Sequence, residues 1–265
     1  MLFDTHAHLD QATFADDLAK VVENAQSAGV GEILAIAITA ESSSLTVELA
    51  EKFAPVSAAV GIQPNDVVDV TAGDWDQVVA LSEKSVVVAV GETGLDRYWD
   101  RTPFDQQQDF FDRHLRLAQQ TGLPFIVHMR ECEQDILEML REARERGPLR
   151  GVMHSFTGDT TMAAECVELG LHISFAGMVT FKKSEDLRAT AATIPADRLL
   201  VETDCPYLSP EPVRKIRRNE PAHVIHTARC LAEVRGESFE QLASQTTSNA
   251  QQLFKAPRRP QLSGF

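Results

Sequence analysis

The sequence predicts an α/β protein, a single-domain (β/α)8 TIM barrel, and three observations support this fold. Short apolar runs alternate with longer stretches of helical spacing, eight such runs can be counted, and no glycine-rich phosphate loop follows the first. Nearly continuous apolar strands that alternate with helices predict a parallel sheet covered on its faces, and eight repeats favour closure into a barrel. An open doubly wound sheet is the alternative, and the missing phosphate loop counts against it.

The predicted strands are short, and their polar residues cluster at the carboxyl ends. In chain order they cover residues 2–8, 32–39, 56–62, 86–92, 125–128, 151–154, 172–175 and 199–204. Two of the intervening helices are well marked by apolar residues on one face, over residues 103–120 and 133–145. Glycines that can adopt the left-handed conformation close several helical intervals, at Gly29, Gly122, Gly147 and Gly170.

Length and composition agree with one domain. A chain of 265 residues with 43% hydrophobic content can bury one large core. We expect the barrel to occupy residues 1–256. A loose tail should follow over residues 257–265, because Pro257, Pro260 and Gly264 oppose regular structure there.

The charge balance restricts how the protein could bind a polyanion. The 25 basic and 39 acidic side chains give a net charge of −14, so the molecule as a whole repels nucleic acid. Any such binding needs a local basic patch or bound cations.

The cysteines and the amino terminus indicate where the protein works. The four cysteines are widely spaced and form no CxxC pair, so neither a zinc ribbon nor a disulfide framework is predicted. The chain shows no secretory leader and no apolar stretch of about 18 residues. We therefore expect a cytoplasmic protein without membrane contact, and a monomer by default.

The strongest local pattern is a histidine pair in the first predicted strand. His6 and His8 lie two residues apart, and side chains with this spacing point to the same face of a strand. They could be neighbouring metal ligands at the barrel mouth. Alone, the pair could equally be packed at a strand end.

Four further ligand-type residues end other predicted strands: Glu92, His128, His154 and Asp204. In an α/β barrel these ends converge on one rim, where such enzymes carry out their chemistry. Four imidazoles and two carboxylates exceed one tetrahedral centre but suit two divalent ions bridged by a carboxylate. The pattern therefore predicts a binuclear hydrolase in which Asp204 could also accept a proton from the attacking water. The nitrogen-rich ligand set favours zinc or manganese over magnesium.

Five sequence blocks resemble the signature motifs of the TatD family, in the order of that family. They are FDTHAHLD at residues 3–10, GETGLD at 91–96, PFIVHMR at 124–130, HSFTG at 154–158 and ETDCP at 202–206. The resemblance extends to about Phe254. It implies a TIM barrel of the amidohydrolase superfamily, and a metal-dependent deoxyribonuclease that releases nucleotides from DNA ends, commonly 3′ to 5′.

The resemblance also assigns roles to matching residues. It implies that His6, His8, Glu92 and Asp204 hold one ion. Glu92, His128 and His154 would hold the second, with Glu92 as the bridge and Asp204 positioning the attacking water. Mg, Mn and Zn all remain possible identities for the two ions.

Several residues are candidates for substrate binding or for orienting the ligands. The densest basic cluster follows the last predicted strand and could bind a phosphate backbone; it contains Arg214, Lys215, Arg217 and Arg218. Arg130 shares the rim orientation of His128 and could contact a phosphate oxygen. Glu202 could orient a histidine ligand. Trp99 could stack on a base or simply pack, and His114 is expected to be structural.

Three functions fit these features. The leading hypothesis is end-directed hydrolysis of phosphodiester bonds in DNA. The same barrel and ions could instead hydrolyse an ester or amide, including D-aminoacyl-tRNA. A metal-binding scaffold without catalysis is the third hypothesis, and the complete ligand set counts against it.

Overall fold

Eight parallel strands follow one another round the sheet in chain order, which confirms the predicted barrel. The computed structural model describes residues 1–254. The strands are β1 (Leu2–Ala7), β2 (Val30–Ile36), β3 (Val56–Val60), β4 (Val87–Asp96), β5 (Phe125–Arg130), β6 (Gly151–Met153), β7 (Leu171–Phe175) and β8 (Leu199–Val201). The predicted tail, residues 257–265, and the end of the predicted domain lie outside the described residues.

Helices connect the strands and cover the outside of the barrel. Within residues 1–254 they are α1 (Leu18–Ser27), α2 (Ala40–Lys52), α3 (Asp74–Leu81), α4 (Phe104–Thr121), α5 (Glu133–Arg146), α6 (Thr160–Leu169), α7 (Glu185–Thr193), α8 (Val224–Arg235) and α9 (Phe239–Phe254). The two helices that the sequence marks most clearly, α4 and α5, each lie within one residue of their predicted bounds. No helix in this part of the chain has both the length and the apolar character needed to cross a membrane.

The barrel closes where its first and last strands meet. Ala7 and Cys205 form a parallel bridge just beyond the end of β8. The Asp204 N–H donates to the His6 carbonyl at 2.9 Å, and the His8 N–H donates to the Cys205 carbonyl at 2.8 Å. These bonds fix the two chain segments that carry His6, His8 and Asp204.

The barrel interior is apolar, and one end of it is covered by the last helix. Inward-facing strand residues form one cluster with residues of α9; its members are Phe3, Leu34, Ile36, Ala59, Ala89, Ile126, Val152, Leu200, Ala250, Leu253 and Phe254. The rings of Phe3 and Phe254 lie 5.9 Å apart, between the start of β1 and the end of α9. The helix α9 thus covers the amino-terminal end of the barrel, and a cavity of about 840 Å³ lies at the carboxyl ends of the strands.

Strand lengths differ from the prediction at the carboxyl ends. β4 continues to Asp96, four residues beyond its predicted end, whereas β6 stops at Met153 and β8 at Val201. The extension of β4 depends on Gly94, which has φ +134°; a Cβ there would lie 2.0 Å from the His128 carbonyl oxygen of β5. A glycine at this position lets the two strands run side by side past the predicted end of β4.

His114 of α4 is a buried structural histidine, as expected. It is 0% exposed, its Nε2 accepts the Ile62 N–H at 3.0 Å, and its Nδ1 lies 2.6 Å from the Phe110 carbonyl. Both ring nitrogens are thus occupied in the neutral form, and burial lowers the pKa of His114 to about 4. The ring joins the outer helix to the loop that follows β3.

This histidine should make the fold less stable in acid. Between pH 6.5 and 4, His114 is protonated in the unfolded chain but stays neutral in the folded protein. The free energy of unfolding therefore falls as the pH is lowered through this window. The shift corresponds to a loss of roughly 3 kcal/mol. We expect urea denaturation in the presence of chelator to show this loss for the wild type. A smaller loss is expected for His114→Gln, and equal losses in the two proteins would contradict the assignment.

Candidate metal centre

The six predicted ligands meet at the carboxyl end of the barrel. His6, Glu92 and His128 lie in β1, β4 and β5, and the other three follow strands directly or within three residues: His8, His154 and Asp204. The sheet register shifts between Asp4 and Ala7 in β1, and between Val90 and Thr93 in β4. Such irregularities redirect side chains, and here they occur at His6 and Glu92.

Glu92 lies at the centre of the cluster and is only 3% exposed. Its Oε2 faces His6 Nε2 at 3.4 Å and His8 Nε2 at 3.6 Å. Its Oε1 faces His128 Nδ1 at 2.9 Å and His154 Nε2 at 3.2 Å. Each carboxylate oxygen therefore faces its own pair of imidazoles, which is the arrangement of a carboxylate that bridges two ions.

The first half of the cluster has the dimensions of a metal site. His6 Nε2 and His8 Nε2 lie 3.2 Å apart, and Asp204 Oδ1 lies 3.8 Å from the first and 3.4 Å from the second. Four atoms bound tetrahedrally at about 2.1 Å from an ion lie about 3.4 Å from one another. The distances of His6 and His8 from each other, from Asp204 Oδ1 and from Glu92 Oε2 lie between 3.2 and 3.8 Å, close to this spacing.

The second half of the cluster contains Glu92, His128 and His154, whose ligand atoms lie within 4.8 Å of one another. Two imidazoles and a carboxylate leave further positions for water or substrate. His154 also approaches Glu202, whose Oε1 lies 3.5 Å from His154 Nδ1 and accepts the Ser155 N–H. Glu202 therefore lies beside His154, one of the predicted ligands.

The electrostatics of the cluster favour bound positive charge. Burial raises the pKa of Glu92, but the imidazoles of His154, His128 and His6 outweigh it, and the pKa lies well below its usual range. Burial lowers the pKa of His8, yet the facing carboxylates of Asp204 and Glu92 raise it to about 9. The carboxylates are therefore ionised and favour a cation on the nitrogens that face them.

Asp96 belongs to this site, although we did not predict a role for it. It is 1% exposed, its Oδ2 lies 3.2 Å from His128 Nε2, and the same atom accepts the Asn65 side-chain N–H at 2.9 Å. A carboxylate on the second nitrogen of a metal-binding histidine fixes the ring orientation. Its spacing from Glu92, four residues on in the same strand, was the available signal.

A cavity of about 840 Å³ is lined by five of the six predicted ligands, all but the fully buried His6, and Arg130 also lines it. Within residues 1–254, four non-glycine residues have left-handed backbone conformations, with φ between 43° and 56°: Glu131, Ser155, Asp204 and Leu208. All four line this cavity. Such conformations are unfavourable for residues with a Cβ and are concentrated at functional sites.

The predicted basic cluster after β8 divides into two parts. Arg218 forms ion pairs with Asp17 at 2.7 Å and Glu220 at 2.8 Å, and it donates to the Thr13 carbonyl, so its guanidinium is already occupied. Arg214, Lys215 and Arg217 are exposed. None of the four is among the residues that line the cavity. They lie on the loop that continues from two lining residues, Tyr207 and Leu208.

Comparisons with known proteins agree with this geometry. The family described as TatD related DNase matches residues 3–255. The metal-dependent hydrolase YabD of Bacillus subtilis is 40% identical over 255 residues, which are 96% of this chain and 99% of that protein. A Citrobacter koseri protein named 3′-5′ ssDNA/RNA exonuclease TatD is 34% identical over 257 residues, 96% of this chain and 98% of the other.

Among solved structures, the TatD homologue YJJV of Escherichia coli K12 superposes with a TM-score of 0.90 at 32% identity, and the match covers 97% of this chain and 98% of the other. The similarity therefore extends over nearly the whole barrel, including the part of the chain that carries the six candidate ligands. This chain belongs to the TatD-related DNase family and is a metal-dependent hydrolase of ester bonds.

Proposed function

We propose that the protein removes nucleotides from the 3′ end of DNA, using two divalent ions held by His6, His8, Glu92, His128, His154 and Asp204. The observation that carries this proposal is the position of Glu92, whose two oxygens each face a separate pair of imidazoles. A single ion held by one of these pairs would leave the other pair of imidazoles without an ion. The name of the C. koseri relative supports a nucleic acid substrate attacked from its 3′ end.

The ions would make a water molecule acidic and stabilise the charge that develops on the phosphoryl oxygens. Asp204 lines the cavity, and its side chain is 13% exposed against 4% for Glu92. Burial raises the pKa of Asp204, but the imidazoles of His8, His6 and His154 outweigh it and lower the pKa below its ordinary value. The carboxylate is thus ionised at neutral pH, and we assign it as the group that orients the attacking water and accepts its proton.

The four imidazoles indicate which ions the protein would use. Imidazole nitrogen suits zinc and manganese, whereas magnesium prefers oxygen ligands and retains its waters. We therefore propose Zn²⁺ or Mn²⁺ as the working ions, with Mg²⁺ bound more weakly.

A basic surface beside the cavity supports a polyanionic substrate. Arg214 stacks over the Phe181 ring, with its Cζ 3.9 Å from the centroid, so the loops after β7 and β8 lie side by side. This surface, here called the basic rim, consists of Lys182, Lys183, Arg214, Lys215 and Arg217. All five are exposed, and within residues 1–254 only Arg214 has an acidic partner, Glu211 at 3.9 Å. In a protein of charge −14 such a surface is well placed to bind phosphates.

End-labelled DNA tests the activity directly. We expect single-stranded oligonucleotides with a 5′ label to shorten stepwise from the 3′ end with Mn²⁺ or Zn²⁺, and to stay intact with chelator. Asp204→Asn should reduce the rate by at least a hundredfold while the circular dichroism spectrum stays unchanged. Intact DNA under every metal condition would refute the nuclease proposal, and rapid internal cleavage would refute the end-directed mode.

The bridging role of Glu92 predicts a particular metal stoichiometry. Wild-type protein should bind two equivalents of Mn²⁺ or Zn²⁺ in isothermal titration or elemental analysis. Glu92→Gln keeps the shape but removes the charge shared by both halves of the cluster, so both ions should bind at least tenfold more weakly. The matched control is Glu48→Gln on the outer helix α2, which should bind two equivalents normally. Retention of one tight ion by Glu92→Gln would show that Glu92 does not bridge.

Neutralising the basic rim should weaken binding in a way that depends on salt. Replacing Arg214, Lys215 and Arg217 together by Gln should raise KM for single-stranded DNA. Losing three phosphate contacts should also flatten the slope of log K against log salt by about 2. A matched control replaces Arg113, Arg116 and Arg144, on α4 and α5, by Gln and should keep the wild-type slope. Equal slopes in both variants would mean that the rim does not bind substrate.

A further inference from the structure

An aromatic pair beside the cavity contributes no candidate ligand to the metal centre. Tyr98 and Trp99 follow β4 and are 49% and 53% exposed. The two rings meet edge to face with centroids 4.8 Å apart. Large aromatic side chains are normally buried, so two that remain half exposed beside a cavity mark a surface for binding.

Arg130 extends this aromatic surface. Its guanidinium carbon lies 3.7 Å from the Tyr98 ring centroid and 5.8 Å from that of Trp99. No acidic side chain within residues 1–254 pairs with Arg130, and the residue lines the cavity together with Trp99. The cluster therefore offers ring faces and a cation to one ligand, the combination that binds a base together with its phosphate.

The backbone of this pair is held in place by the metal site. Asp96 Oδ1 accepts the N–H groups of Tyr98 at 2.8 Å and Trp99 at 3.0 Å, while Asp96 Oδ2 faces His128. One buried carboxylate thus connects a histidine ligand to the aromatic pair. This connection keeps a fixed distance between the reacting centre and any base that rests on the rings.

We propose that Tyr98, Trp99 and Arg130 form a stacking subsite for the unpaired base at the 3′ end of a single-stranded nucleic acid. The inference rests on the proposed nuclease function and deepens it. Stacking accepts every base, because each base has a π face, so the subsite would recognise an unpaired end rather than a sequence. A base held in a duplex is already stacked and paired, and it would first have to be released.

The positions of the stacking subsite and the basic rim predict the direction in which a bound nucleic acid would lie. The stacking subsite lies beside β4 and β5, whereas the basic rim follows β7 and β8, on the other side of the closed barrel. The metal centre lies between them. The terminal base would rest on Trp99, its 3′-terminal phosphodiester would lie over the ligands, and the remaining phosphates would leave across the basic rim.

Kinetics with and without a terminal base test the subsite. The substrates are oligothymidylate and the same oligonucleotide with an abasic 3′-terminal residue. We expect the wild type to show a KM about tenfold lower for the base-bearing substrate. Trp99→Ala should raise KM for oligothymidylate about tenfold and abolish most of the difference between substrates, and Trp99→Phe should restore it. Leu45→Ala, which shortens an exposed apolar side chain on α2, is the control and should behave as the wild type.

A binding measurement gives a readout that does not depend on activity. The chain has two tryptophans, so Trp75→Phe leaves Trp99 as the only tryptophan, whose fluorescence can be excited selectively at long wavelength. In that background, Asp204→Asn prevents cleavage, and oligothymidylate should quench the remaining fluorescence more strongly than the abasic oligonucleotide.

The outcomes separate this inference from the proposed function. If DNA is degraded but Trp99→Ala leaves the difference between the two substrates intact, the stacking subsite is wrong and the nuclease proposal stands. Equal quenching by both oligonucleotides would also overturn the subsite. If no DNA is degraded under any metal, the nuclease function fails, and base-dependent quenching would still support a site for nucleic acid bases.

Discussion

The structure depends on one buried carboxylate placed among four imidazoles. Glu92 is 3% exposed, and each of its oxygens faces two histidine nitrogens, which come from β1, from β5 and from the residues directly after β1 and β6. An ionised carboxylate without such partners would cost several kcal/mol in the barrel. The four histidines thus stabilise the charge of Glu92 and are also the candidate metal ligands.

The fold and the convergence of the six candidate ligands at one end of the barrel could be predicted from the sequence, because both follow from simple rules. In a closed parallel barrel, the carboxyl ends of all strands lie at the same face. A polar residue at the end of a predicted strand can therefore be assigned to that face from the sequence alone. Other features depend on contacts between distant segments. Arg218 looked available in the sequence, but it pairs with Asp17, 201 residues away in the chain. Asp96 reaches His128 only because β4 continues beyond the apolar residues from which the strand was predicted. Gly94, which packs against β5, allows this continuation.

At the carboxyl end of the barrel, residues with strained backbone conformations are held in place by hydrogen bonds. Ser155 and Asp204 adopt left-handed conformations, which cost of the order of 1–3 kcal/mol each. Backbone bonds hold Asp204 in this conformation, because its N–H donates to His6 at 2.9 Å. The apolar interior and the cover provided by α9 at the far end supply the stability that such a site requires. The strained residues at the carboxyl end of the barrel are therefore stabilised by the apolar packing at the amino-terminal end.

The ligands of the first half of the cluster come from both sides of the barrel seam. His6 lies in the first strand and His8 directly follows it, Asp204 follows the last strand, and nearly 200 residues separate the histidines from Asp204 in the chain. An ion held by these three residues would link the two ends of the sheet. Its binding energy becomes available only after the whole barrel has been made and its first and last strands have met. The metal would thus act as a late check on folding, since a chain that fails to close its barrel cannot assemble the centre.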